Sequence, residues 1–140
     1  MIVYYKADQI FGHRNMIMAN QLDGYRILNE IATVVSQSLD LEEILCSALE
    51  QVLEATNLET GGIYLLEEGT GTLKIRAHHG FKSEFLAEID NLEVGEGFSG
   101  IVAQNGEPLI IKDLREDERL TRKSVIEQGF TSLAVVPLRA

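Results

Sequence analysis

Two short strand-like runs, residues 62–68 and 73–79, are separated by Gly69, Thr70, Gly71 and Thr72. No other feature limits the fold as tightly. The glycines supply the positive φ angles that a tight turn demands, so the two runs are expected to form a β-hairpin. Whatever precedes and follows must then pack against a sheet.

Upstream, residues 21–39 show a helical period. Tyr25, Leu28, Ala32, Val35 and Leu39 fall at steps of 3 and 4, with Ile27, Ile31 and Val34 as a second stripe beside them. Together the stripes span roughly half the circumference, whereas one neighbour needs about 100°. This helix is therefore expected to have two neighbours, the domain itself and a second copy, with Tyr25, Leu28, Ile31, Ala32, Val35 and Leu39 as the dimer seam. Asp40 and Glu43 have capping-box spacing and start a second helix. Its apolar face carries Leu41, Ile44, Leu45, Ala48 and Val52, and its opposite face Glu43, Glu50 and Glu54. Cys46 lies on the margin of the apolar face and reads as a buried or half-buried filler, since nothing cationic nearby would stabilise a thiolate.

Downstream, Ser83 is placed to cap a short helix through Ile89. A glycine-rich turn over residues 94–100 leads into residues 101–104, and Asn105 with Gly106 turns into a strand over 108–112. Residues 113–127 read as a charged loop with a short helix, and 133–138 as a last strand. Residues 1–20 have no sustained period. Ile2, Tyr4 and Ile10 could make a short strand, but the stretch reads as a lead-in segment to a domain spanning 21–140. Helices first and strands after, with helical connections, predict an α+β fold with a mostly antiparallel sheet.

Charge narrows the function. The 22 acidic residues outweigh 12 lysines and arginines, for a formal charge of −10 over 140 residues, which argues against a nucleic-acid binder. No apolar run reaches the roughly 18 residues of a membrane span, and no secretory h-region opens the chain, so it reads as cytoplasmic with no membrane partner. A single cysteine excludes a disulfide framework.

Gly95, Gly97 and Gly100 satisfy G-x-G-x-x-G. The dinucleotide reading fails because Glu88, Asp90 and Glu93 stand where a buried strand is required, and Glu96 would face the pyrophosphate. His78 and His79 are adjacent on a strand and point to opposite faces, one toward the core and one toward solvent, so no metal site is expected. No G-x-S-x-G elbow or evident Ser, His and Asp set is present, and no cofactor is called for. In residues 112–123, Arg115, Arg119, Arg122 and Lys123 interleave with Asp113, Glu116, Asp117 and Glu118. This reads as a salt-bridged exposed segment, the alternative being a cover over a pocket with Arg115 or Arg119 reaching an anionic ligand.

Several local strings, in order, resemble the GAF domain family of small-molecule sensor and dimerisation modules in signalling proteins. They are Asp40-Leu41-Glu42-Glu43-Ile44-Leu45, Gly62-Ile63-Tyr64-Leu65, Gly95-Glu96-Gly97-Phe98-Ser99-Gly100-Ile101-Val102-Ala103, Glu107-Pro108-Leu109-Ile110-Ile111-Lys112-Asp113 and Ser132-Leu133-Ala134-Val135-Val136-Pro137-Leu138. The resemblance implies a sheet with helices packed on one face, as in GAF and PAS-like folds, and connections on the other that can enclose a small molecule. It places Tyr64, Phe98, Ile101, Ile111, Phe130 and Val135 around a pocket with Arg115 as polar anchor, unless these residues simply complete the core. The cyclic-nucleotide signature, the pocket cysteine of bilin attachment and the cysteine set of methionine sulfoxide reduction are not found. The implied function is a regulatory, non-enzymatic domain that senses a small molecule, dimerises, or both, and signals to a downstream output domain. The alternative is a ligand-free interaction module.

In the family, a central strand and a C-terminal helix follow the Val-Pro-Leu string. Their absence here would leave a vacant lane between residues 63–66 and 133–136. Either the chain is a fragment, the favoured expectation, or the lane is filled from elsewhere, for example by residues 1–5 or a symmetry mate.

Leu28→Glu is expected to weaken self-association measured by light scattering. A wild-type protein that stays monomeric at high micromolar concentration would remove the seam.

Overall fold

The computed structural model describes the backbone of residues 2–6 and all of residues 41–139. The helix expected over 21–39, its seam residues Tyr25, Leu28, Ile31, Ala32, Val35 and Leu39, the Asp40 cap and His13 lie outside the described residues. The elements in chain order are β1 (Ile2–Lys6), α1 (Leu41–Thr56), β2 (Thr60–Glu67), β3 (Thr72–His79), α2 (Ser83–Ile89), β4 (Leu92–Glu93), α3 (Gly97–Asn105), β5 (Leu109–Ile111), a 3₁₀ turn (Leu114–Glu116), α4 (Ser124–Glu127) and β6 (Leu133–Pro137). No described helix is long and apolar enough to cross a membrane.

The strands form a six-stranded sheet in the order β4-β3-β2-β1-β6-β5, with every neighbouring pair antiparallel. The hairpin forms as expected: Glu67 faces Thr72, and Gly69 and Gly71 take φ of 95° and 70° in the turn. β2 and β6 are not neighbours. The lane between them is filled by β1, whose Val3 lies opposite Ile63 on one side and Val136 on the other. Residues 2–6, read from sequence as the start of a lead-in with the option of a short strand, are a central strand of the sheet.

The sheet buries both faces. On one, α1 packs Leu45, Ala48, Leu49, Val52 and Leu53 against Ile63, Ala77 and Ala134. On the other, Tyr64, Leu73, Leu133 and Val135 join Phe85, Phe98, Leu114 and Phe130 from the connections. Alternation along β6 explains the division, since Leu133 and Val135 point one way and Ala134 the other. A bulge in β3 breaks it: Tyr64 pairs with Ile75 and Ile63 with Ala77, leaving Arg76 unopposed. Leu73 and Ile75 therefore serve one core and Ala77 the other.

Three local expectations are corrected. Cys46 is exposed: it lies one 100° step round α1 from Leu45, just past the edge of the buried stripe of Leu45, Ala48, Leu49, Val52 and Leu53. His78 and His79 are both exposed, since β3 outruns its cover at that end; His78 stacks on Phe81 at 6.3 Å. Ser83 is the first residue of α2 and not its cap, which is Lys82 in extended conformation with no side-chain bond.

The glycine-rich turn is fixed by close backbone approach. Gly95 N–H donates to the Gly100 carbonyl at 2.8 Å, and a Cβ on Gly100 would stand 2.4 Å from the Glu93 carbonyl oxygen. No side chain fits there without moving β4. Gly100→Ala is expected to cost about 3 kcal/mol in chemical denaturation; a loss below about 0.5 kcal/mol would show that the turn can relax freely. Removing residues 1–6 strips pairing from both β2 and β6 and is expected to cost at least as much, at about 1 kcal/mol per lost hydrogen bond, with new self-association in light scattering. Unchanged stability would mean that β1 adds nothing to the sheet.

Candidate functional site

The second core is not filled completely. Between β2, α2, the first turn of α3 and the segment 119–125 lies a cavity of about 40 Å³ for the centre of a water molecule, widening to about 430 Å³ of interatomic space when its open mouth is counted. A single water requires roughly 10–15 Å³ on the first measure, so the cavity has room for a few waters.

Each wall follows from a local pattern. Tyr64 stands on the floor because it shares the β2 face opposite to Ile63, and its hydroxyl donates to the Ile89 carbonyl at 3.0 Å. Phe85 and Ile89, one turn apart on α2, present a single apolar side. Gly97, Phe98 and Ser99 come from the first turn of α3. Leu120 and Val125 close the roof, with Arg119, Thr121 and Arg122 around them.

The roof is tied down at several points. Leu114 is fully buried and its N–H donates to the Thr131 carbonyl at 2.8 Å. Asp113 caps the 3₁₀ turn through the Arg115 N–H. Arg119 grips Asp117 through two bonds of 2.9 and 2.6 Å, and this guanidinium holds the Asp117 carboxyl below its ordinary range. Arg122 reaches further: it donates to the Glu88 carbonyl at the end of α2 and forms an ion pair with Glu96, the residue before α3.

Of the residues expected around the pocket, Tyr64 and Phe98 are on the cavity wall. Ile111, Phe130 and Val135 belong to the same apolar cluster but not to the wall. Phe130 instead completes an edge-to-face group with Phe81 and Phe85, at centroid distances of 5.9 and 5.3 Å. Ile101 is half-buried on α3 and off the wall. Arg115 is turned outward, two-thirds exposed and held by Asp113 through bonds of 2.9 and 2.6 Å. That pairing lowers the Asp113 carboxyl to about 2. Arg119, the alternative polar anchor, is in the lining, and the residues that sequence reasoning missed include Phe85, Ile89, Leu92, Leu120, Val125 and Arg122. The i, i+4 pair Phe85 and Ile89 was visible in the pattern of α2; Arg122 is set apart from Arg115 and Arg119 in sequence only by having no acid two residues before it.

Comparison with known proteins places these observations. The GAF domain profile matches residues 38–140. The Nif-specific regulatory proteins of Azospirillum lipoferum and Azospirillum brasilense are each 27% identical over 115 residues, covering 79% of this chain. The match spans only 18% of those proteins' length. Among solved structures, the GAF domain of a phosphoenolpyruvate-protein phosphotransferase from Coxiella burnetii superposes with a TM-score of 0.57 at 20% identity, covering 86% of this chain and 80% of that one. The GAF domain of A. aeolicus nlh2 in an inactive state gives 0.56 at 21% identity, covering 86% and 83%.

Proposed function

Because this chain belongs to the GAF domain family, we propose that it is a non-enzymatic regulatory domain in which a small molecule occupies the cavity beneath residues 119–125 and stabilises that cover in place. The observation that carries the reading is the cavity itself, a recess opening from an otherwise packed core, walled by Tyr64, Phe98 and Leu120 and covered by a segment whose Arg122 bridges to Glu88 and Glu96. The recess opens to solvent, so a ligand with an apolar body gains by displacing water from its apolar walls. Apolar walls with a few polar groups at the mouth suit small-molecule recognition.

A ligand acts as a signal only through its differential affinity for two arrangements of the protein. The cover is the element whose arrangement the ligand would bias. The bias would pass to the helix expected over residues 21–39, and through its seam to a second copy or to an output domain. The regulatory character of the Azospirillum relatives supports an output of this kind.

The test is a thermal-shift screen of small metabolites on the purified protein, with native mass spectrometry for a co-purified molecule. A true ligand at a hundredfold excess over its Kd is expected to stabilise the fold by about 2.7 kcal/mol, a shift of several degrees. A protein that dimerises but is stabilised by no compound would be the ligand-free interaction module instead.

A further inference from the structure

The cavity's charge is at odds with that of the chain. The formal charge is −10, yet among the described residues the cavity lining contains two arginines, Arg119 and Arg122, and no aspartate or glutamate. The two arginines are held in different ways. Arg119 is neutralised by Asp117, two residues away on the same loop. Arg122 is neutralised from outside the cover by Glu96 and also donates to the Glu88 carbonyl, and the Glu96 side chain is 44% exposed. An ion pair this open to water is weakly held and exchanges with a competing carboxylate.

A second set of donors lies beside it. The first hydrogen bond of α3 runs from the Gly100 N–H to the Glu96 carbonyl, so the amides of Gly97, Phe98 and Ser99 precede the helical ladder. The Glu96 side chain caps none of them; its second oxygen accepts from the Glu93 N–H at 3.0 Å. All three residues line the cavity, and Ser99 brings a hydroxyl that is itself buried, at 3% exposure.

We infer that the cavity takes a small carboxylate, its short apolar body among Tyr64, Phe98 and Leu120 and its head group replacing Glu96 on the Arg122 guanidinium. The inference rests on the sensor reading and deepens it. Size favours a short body: the space for the centre of a water molecule is about 40 Å³, room for a few waters. Charge sets the head, because a planar guanidinium is matched by a carboxylate through two parallel bonds, which a neutral amide of the same shape cannot reproduce. Exchange of partners also gives the ligand a mechanical consequence. It releases Glu96, which precedes α3, while Arg122 stays engaged from the cover.

The test compares butanoate with butanamide by isothermal titration and ligand-observed NMR on the intact chain. Wild-type protein is expected to bind butanoate at least about tenfold more tightly than butanamide. Arg122→Gln should abolish that preference, and Glu96→Gln should tighten butanoate several-fold while leaving butanamide unmoved. Opposite effects from the two partners of one ion pair are not what a merely structural pair would give. Circular dichroism melting checks that each variant folds; should Arg122→Gln not fold, Glu96→Gln decides alone. Equal binding of the two probes, or butanoate binding indifferent to both substitutions, overturns the carboxylate assignment. So does failure of butanoate to bind, and a hit in the metabolite screen would then leave the sensor reading standing without it. Failure of every compound in that screen removes the sensor reading itself.

Discussion

The sheet has to bury both of its faces, and the rest of the structure follows from how it does so. β2 bears this most directly, with Gly61, Gly62, Ile63 and Tyr64 all buried in succession. Ile63 commits one face to α1 and Tyr64 commits the other to the connections. The two glycines are part of the same constraint. A Cβ on Gly62 would lie 3.0 Å from both Ile75 and Phe81, so the second face packs against bare backbone at that point. A strand loaded on both sides leaves no free surface for a ligand, and any site must lie where one of the covers fails to close. That place is under residues 119–125, where the cover is a loop and a single helical turn in place of a continuous helix.

What the sequence made legible was the part of the fold governed by local periodicity. The hairpin, α2 and the strands over 109–111 and 133–137 fall within one or two residues of expectation, because turn glycines and apolar alternation act over a few residues. β4 was not legible. It is two residues long and follows Asn91 at φ 60°, so it exists through pairing with Thr72 and Leu73 and not through any pattern of its own. The placement of β1 was open for a related reason. Five residues of mixed character carry too little period to show whether they lead into a domain or cross its centre. The ordering of the sheet supplied the answer indirectly, since a lane between β2 and β6 was expected to need a strand from somewhere.

The site was legible to a lesser degree, and the reason is visible in the three arginines of residues 113–123. Sequence proximity of opposite charges is satisfied locally: Arg115 folds back on Asp113 and Arg119 on Asp117, in each case two residues away and through paired hydrogen bonds. Nothing distant is needed to make these pairs, and they carry no information about tertiary structure. Arg122 lacks such an acid two residues before it, where Leu120 stands. Its guanidinium finds partners on two other elements. An arginine without a local acid was the guide to where this segment is bridged to other elements.

The same contrast bears on how the cover is held. The local pairs Arg115 with Asp113 and Arg119 with Asp117 persist wherever the cover lies, since both members move together. They rigidify the loop but contribute nothing to closing it. Closure depends on contacts that cross to other elements: Leu114 and Val125 buried in the second core, the Leu114 N–H bonded to Thr131, and the Arg122 bridge to Glu88 and Glu96. Of these, the buried apolar side chains resist opening whatever the ionic conditions, whereas the bridge is partly exposed and weakens with salt. Raising ionic strength therefore loosens the mouth of the cavity at Arg122 before it disturbs the anchors at Leu114 and Val125.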